Sequence, residues 1–283
     1  MDELDLKIRE FEALSPTEIT VDEILARLRP LMHGYNVIGT MCFPPLSIYR
    51  ARRASGFPRW NQVRDLSYSK SGSGFDRRAN RKGVEIFYGA SSADLALAEI
   101  DVKLGDYVVI SDWEITAPLL AQIVGMAGIP AQLVPTDERN TKLAEFLKRN
   151  FYRNTGRPWS IAISEFFLCG INDRRPPEQQ DPSVPDNVQA LRYPSARQPN
   201  LGENFAIRGS FVDSAMRVTG AELFYIDPAK TESNALRRAS TFVDGVIHWE
   251  MINSASSDVR RACQRLAQRE RSRLVSCCLS VLT

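Results

Sequence analysis

Apolar positions in the first 34 residues recur with the period of an amphipathic helix. Leu4, Ile8, Phe11 and Leu14 form one such stripe, and Val21, Ile24, Leu25, Leu28 and Met32 form a second. Thr20-Val-Asp-Glu23 has the spacing of a capping box, which sets the start of the second helix, and Pro30 is placed to kink its end. Residues 1–34 therefore read as an N-terminal helical extension. The pattern then changes period. Leu46, Ile48 and Ala51 predict a strand carrying Tyr49 and Arg50, and Val84, Ile86 and Tyr88 alternate as a second strand that Gly89 breaks. Ser91 and Ser92 are both good N-caps for a short helix starting near Ala93. Ala93, Ala96 and Ala98 let that helix sit close to a neighbour, and Glu99 lies at its end.

Further along, Tyr107–Ile115 reads as a strand, Thr141–Phe151 and Trp159–Cys169 as helices, and Phe205–Val212 and Ala221–Ile226 as strands. Val259, Ala262, Cys263, Leu266 and Ala267 outline a last amphipathic helix with arginines on its outer face, followed by the apolar tail LVSCCLSVLT. Residues 61–82 are polar and contain SKSGSG, so they read as a mobile loop. Residues 172–190, rich in proline and polar side chains, read as a loop or insertion. No internal repeat stands out. The elements divide as 1–34, 35–253 for the main unit, and 254–283 for a C-terminal helix and tail.

Composition narrows the class. At 283 residues and 43% hydrophobic content the chain can bury a sizeable core, and a net charge of +2 demands no direct nucleic-acid partner. Five cysteines with no CxxC spacing signal neither zinc nor a redox motif. Their odd number fits free thiols in a reducing cytoplasm better than a disulfide scaffold. MDELDLKIRE lacks the apolar run of a signal peptide, and no segment has the roughly 20 apolar residues a membrane-spanning helix needs, so no membrane is expected as a partner.

Three stretches carry candidate chemistry. In PLSIYRARRASGFPRW four arginines lie within Arg50–Arg59; Arg52, Arg53 and Arg59 suit a solvated edge, whereas Arg50 directly follows an apolar strand. In FYGASSADLALAE, a tyrosine at a strand end is followed by a carboxylate one short helix later, a spacing that lets Tyr88 and Glu99 line one cleft. A carboxylate on a mostly apolar helix must be solvated, paired or used, because burying an unpaired charge is costly. The third stretch is YPSARQPNLGENFAI at Tyr193–Ile207. Taken singly, Tyr88 suits a core aromatic, Glu99 a helix surface and Ser195 a turn; their ordered co-occurrence is what points to a site. Gly72-Ser-Gly74 lacks the last glycine of a dinucleotide fingerprint. A serine hydrolase is disfavoured, since no GxSxG occurs and only His33 and His248 are available as a base; His33 suits a helix end and His248 a strand with no evident partner.

These three stretches together resemble the RES family, named for an arginine, a glutamate and a serine. The family pattern has an apolar strand ending in Tyr-Arg, a tyrosine strand with eleven residues to a glutamate in an Ala-Leu-Ala-Glu context, and a Pro-Ser-Ala-Arg-like turn; here these are Arg50, Tyr88, Glu99 and Ser195. The resemblance covers about residues 43–250. The family often carries an Arg-Trp/Phe-Asn segment before the tyrosine strand, where this chain offers Arg78-Ala79-Asn80 or, alternatively, Arg59-Trp60-Asn61.

The resemblance implies an α+β fold similar to ADP-ribosyltransferase toxins, a split mixed sheet with surrounding helices around an NAD cleft. It implies an NAD+-consuming, toxin-like enzyme that takes NAD+ as substrate with no metal. The expected reaction is cleavage of the nicotinamide–ribose bond by hydrolysis or phosphorolysis, as a glycohydrolase or phosphorylase. The alternative is an ADP-ribosyltransferase acting on a protein target; an alternative of another class is a catalytically inactive interaction protein of the same fold. A helix-turn-helix antitoxin of the Xre type is the implied partner. The chemistry of the residues agrees: a planar guanidinium at Arg50 suits a pyrophosphate, Tyr88 suits the nicotinamide ring, and Glu99 suits the positive charge that develops at the ribose. Ser195 suits a hydrogen bond to ribose or phosphate, with Arg197 assisting at phosphate. Glu99, Arg50 and Ser195 are thus the expected catalytic set, and Arg50, Tyr88, Ser195 and Arg197 the expected binding set.

Overall fold

A computed structural model of the chain describes residues 2–14, 18–35, 39–72, 74–124, 137–152, 157–168, 188–195, 202–227, 234–251 and 265. The described residues form ten strands and seven helices, an α+β arrangement on one mixed sheet in the order β1-β5-β6-β7-β3-β2-β4-β8-β9-β10. Every neighbouring pair is antiparallel except β5 with β6.

The two N-terminal helices form where the periodicity places them. α1 (Glu3–Glu12) is closed by a capping box between Asp2 and Asp5, and α2 (Val21–Leu31) by one between Thr20 and Glu23. Their apolar faces pack into the same core as α5 (Glu138–Tyr152) and α6 (Arg157–Leu168), with Ile8, Phe11, Ile24, Leu28, Phe146 and Trp159 all buried. Phe11 packs edge-on to Phe146 with ring centroids 5.4 Å apart, and lies 4.8 Å from the Trp159 ring. This helical layer covers one face of β6 (Ala190–Pro194), β7 (Glu203–Arg208) and β3 (Ile86–Ala90), where Leu191, Tyr193, Ala206 and Ile86 join it. Alternation along β3 sends Phe87 to the opposite face, into a second core with Ile48, Trp113, Phe205 and Phe211.

The sheet narrows at one seam. β2 (Ser47–Ala54) pairs along its whole length with β4 (Tyr107–Ile115), from Ser47↔Glu114 to Ala54↔Tyr107, yet it meets β3 at a single register pair, Tyr49↔Ala90. Gly89 makes the approach feasible: a Cβ on it would lie 2.4 Å from Ile48 Cγ2 and 3.0 Å from the Phe87 ring. The glycine that reads as a strand breaker therefore sits inside β3 as the point of closest approach. α4 (Ala93–Glu99) follows directly, N-capped by Ser92, whose Oγ accepts from Leu95 N. Ser91 has a different task, its N donating to Glu203 O and its Oγ accepting from Glu203 N, which ties the turn to β7.

Several sequence expectations need correction. Phe205–Val212 is not one strand: β7 ends at Arg208 and α7 (Gly209–Ala215) begins, with Phe211 and Val212 turned into the second core. Residues 61–82 contain helix α3 (Val63–Leu66) and a hydrogen-bonded turn before β3, in place of a featureless loop. β8 (Met216–Tyr225) starts earlier than expected, β1 (Gly39–Cys42), β5 (Leu119–Ile123) and β9 (Asn234–Val243) were not anticipated, and the strand expected around His248 is β10 (Val246–Met251). The C-terminal helix and tail, Arg265 excepted, lie outside the described residues, as do most of 172–190 and every cysteine except Cys42. No helix among the described residues is long and apolar enough to cross a membrane.

Candidate functional site

The seam opens into a cavity of about 480 Å³ whose wall includes Tyr49, Arg50, Tyr88, Gly89 and Glu99, together with Arg77, Arg78, Ser160, Tyr193 and Asn204. It forms because β2 and β3 diverge beyond their single shared pair, leaving backbone and side chains of both facing the gap.

Arg50 spans this gap. Its Nη1 donates to the Tyr88 carbonyl at 2.6 Å, and its guanidinium lies 5.0 Å from the Phe87 ring centroid. Nε is buried without a hydrogen-bond partner among the described residues. Burial, with the charges of Arg52 and Arg77 added to it, brings the Arg50 pKa down to about 9, so the guanidinium still carries its charge at neutral pH, held at a cost. A bound anion relieves that cost by supplying the missing counter-charge and acceptor.

Tyr88 lines the cavity, and its hydroxyl is anchored by the turn before β3. The hydroxyl donates to Asn80 Oδ1 at 2.6 Å and accepts from Ala79 N at 2.9 Å. Burial raises its pKa, so the phenol stays protonated. The two Arg-x-Asn segments lie in different places. Arg78-Ala79-Asn80 lies against Tyr88 with Arg78 on the cavity wall, whereas Asn61 O accepts from Ile247 N and Trp60 O from Trp249 Nε1, at β10.

Glu99 closes α4 on the opposite wall. The C-terminal end of a helix is the wrong end for a carboxylate, by about 0.3–1 kcal/mol for an intact helix dipole. Two donors offset this. Ser195 Oγ donates to Glu99 Oε1 at 2.5 Å, and Asn204 Nδ2 donates to the same oxygen at 2.8 Å. Both donors are buried, Ser195 at the end of β6 and Asn204 in β7 opposite Tyr193. Glu99 Oε2 makes no hydrogen bond among the described residues. The carboxylate of this cavity-lining residue is thus oriented through one oxygen.

Four of the five expected site residues therefore gather around one seam: Arg50, Tyr88 and Glu99 on the cavity wall, and Ser195 just behind Glu99. Arg197 lies outside the described residues. Asn204 was missed by sequence reasoning although it sits within the stretch that drew attention. The available signal was a polar residue opening the apolar run Phe205–Ile207, on the strand beside Ser195. Asp76 and Arg77, within the stretch that reads as a mobile loop, also line the cavity. Among the described residues no cluster of three or more histidine, cysteine or acidic side chains suits a metal ion.

No curated protein matches the chain in sequence. The family model of the RES domain matches residues 47–225, which runs from the first residue of β2 to the last of β8 and takes in Arg50, Tyr88, Glu99, Ser195 and Asn204. RES domains are NAD-related toxin domains, and an NAD-acting enzyme is what the match supports. With more than half of its length matched, the chain belongs to the RES domain family.

Proposed function

We propose that the protein cleaves the bond between nicotinamide and ribose in NAD+. The observation that carries this is the Glu99 carboxylate, fixed by Ser195 and Asn204, facing a cavity whose wall also holds Arg50, Arg77 and Arg78. NAD+ pairs a pyrophosphate with a ribose at which positive charge develops as the bond breaks. Arginines for the one and a carboxylate for the other are what that substrate demands.

In the reaction the ribose C1′–N bond breaks, its electron pair passes to the pyridinium ring, and neutral nicotinamide leaves. The developing oxocarbenium charge is offset by Glu99. Water or phosphate then bonds to C1′, and the proton lost by water goes to solvent or to Glu99. Arg50 acts before this, in binding: its buried Nε and the low-dielectric surroundings favour a phosphate oxygen as partner. The Tyr88 ring, held from behind by Asn80, offers an aromatic face to the nicotinamide. Hydrolysis, phosphorolysis and transfer to a protein share the bond that breaks and differ in the nucleophile.

Product analysis separates them. Purified protein incubated with NAD+ releases nicotinamide together with ADP-ribose in plain buffer if water is the acceptor, or ADP-ribose 1″-phosphate once phosphate is added if phosphate is. A radiolabelled ADP-ribose group appearing on lysate proteins marks transfer. NAD+ left intact under all three conditions refutes the proposal. The family resemblance also supports a helix-turn-helix antitoxin as partner. Coexpression with such a protein should then restore growth that the RES protein alone arrests.

A further inference from the structure

The cavity wall depends on a turn that lies within the family match but is anchored in part from outside it. Residues 74–82 loop out before β3 and return on themselves. Arg77 N donates to Asn80 O at 2.9 Å and Lys82 N to Asp76 Oδ1 at 2.7 Å. At the neck a Cβ on Gly72 would lie 2.1 Å from the Gly83 carbonyl carbon, so only a glycine fits there. Phe75, Asp76, Arg77 and Arg78 from this turn line the cavity, and Asn80, fully buried, holds the Tyr88 hydroxyl.

What holds the turn in place comes from the helical layer. Arg78 Nη1 donates to Phe151 O on α5 at 2.8 Å. Arg81 makes four hydrogen bonds to two carboxylates. Nε and Nη2 donate to Glu165 on α6 at 2.7 and 3.0 Å, and Nη1 and Nη2 donate to Asp22 on α2 at 2.9 and 2.5 Å. Those two pairs raise the Arg81 pKa further above its ordinary value, so its charge is permanent. Asp22 lies outside the matched residues 47–225, on the N-terminal hairpin. The planar guanidinium forks to two carboxylates at once, which the point charge of a lysine cannot reproduce.

We propose that Asp22 and Arg81 are positioning residues for substrate binding: the N-terminal α1–α2 hairpin, through the Asp22–Arg81–Glu165 clamp, fixes the arginine-bearing turn that walls the cavity. The hairpin is on this account part of the binding apparatus, although it contributes no residue to the cavity. The link to substrate rests on the NAD+ reading, whereas the link to the turn does not.

Two measurements on the full chain test it. Hydrogen–deuterium exchange reads the turn directly, since the amides of Arg77, Ala79 and Lys82 are hydrogen-bonded within it or to Tyr88. In Asp22→Asn and in Arg81→Gln, exchange should quicken in peptides covering 74–82 while α1, α2 and α6 keep wild-type protection. Steady-state kinetics then read the consequence. KM for NAD+ should rise roughly two- to fivefold in Asp22→Asn, whose carboxylate is largely exposed. It should rise on the order of tenfold in Arg81→Gln, which loses both partners, with kcat near wild type in each and partial recovery in Arg81→Lys. Unchanged exchange in 74–82 overturns the proposal. So does exchange that rises throughout α1 and α2, or a fall in kcat at constant KM. If wild-type protein consumes no NAD+, the exchange result alone decides the clamp.

Discussion

Glu99 is oriented by two buried donors, one just past β6 and one in β7, that come 96 and 105 residues later in the chain. This convergence is what the account of catalysis rests on at the scale of single residues. Its interactions matter most when positive charge develops, so Glu99→Gln should lower kcat with little change in KM. Arg50→Ala should act the other way, raising KM, since its phosphate contact exists before the bond breaks. One charge-assisted hydrogen bond is worth roughly 1.5–3 kcal/mol, on the order of ten- to a hundredfold in either constant. Asn204→Ala leaves Glu99 with Ser195 as its remaining donor and should lower kcat by about tenfold, with melting temperature close to wild type; an unchanged kcat would remove Asn204 from the site. Arg50, Tyr88, Glu99 and Ser195 were legible because they follow one another in the chain order of the family pattern, although Arg50 and Tyr88 lie inside β2 and β3, not at their ends. Asn204 was not, because its partner is distant in sequence and its own neighbours are ordinary strand residues.

At the scale of elements, the site exists because β2 and β3 touch at one register pair and then part. Gly89 sets how closely they meet. A methyl group there would overlap Ile48 Cγ2, so Gly89→Ala should cost about 1–3 kcal/mol in denaturant unfolding, as an overpacked core position does. A smaller loss would mean that the strands move apart without strain. The N-terminal helices make an equally definite prediction. Phe11 is buried against Phe146 and Trp159, so Phe11→Ala should cost about 3–5 kcal/mol, which urea unfolding would read as a shifted midpoint. A dispensable surface helix would show almost no shift. α1 and α2 were legible from their 3.6-residue stripes and the Thr20–Glu23 box. The β9–β10 hairpin had a signal that went unread: Asp244 and Gly245 both take positive φ, as the two-residue turn between these strands requires, and Asp-Gly is the expected sequence for it. α7 had none, since Gly209–Ala215 has no side-chain cap and continues an apolar run.

For the whole molecule, the ten-stranded sheet is a frame with the helical layer on one face and a second core on the other, and the cavity sits at the seam. The α+β class and the mixed sheet followed from the family resemblance; the strand order did not, because pairing β1 with β5 and β2 with β4 joins segments whose register no local pattern encodes. The arginines around the cavity predict that pyrophosphate, as a non-reacting probe, competes with NAD+ and loses affinity as salt rises. Salt-independent inhibition would argue against a charge-based subsite. The most direct test of the central claim is nicotinamide release from NAD+ by the purified protein, measured by chromatography beside Glu99→Gln and Arg50→Ala proteins of matched melting temperature. The account predicts stoichiometric release of nicotinamide as NAD+ disappears, with a fall of roughly ten- to a hundredfold in kcat for Glu99→Gln and in kcat/KM for Arg50→Ala. Intact NAD+ with the wild-type protein, or release at the wild-type rate by both variants, would contradict it.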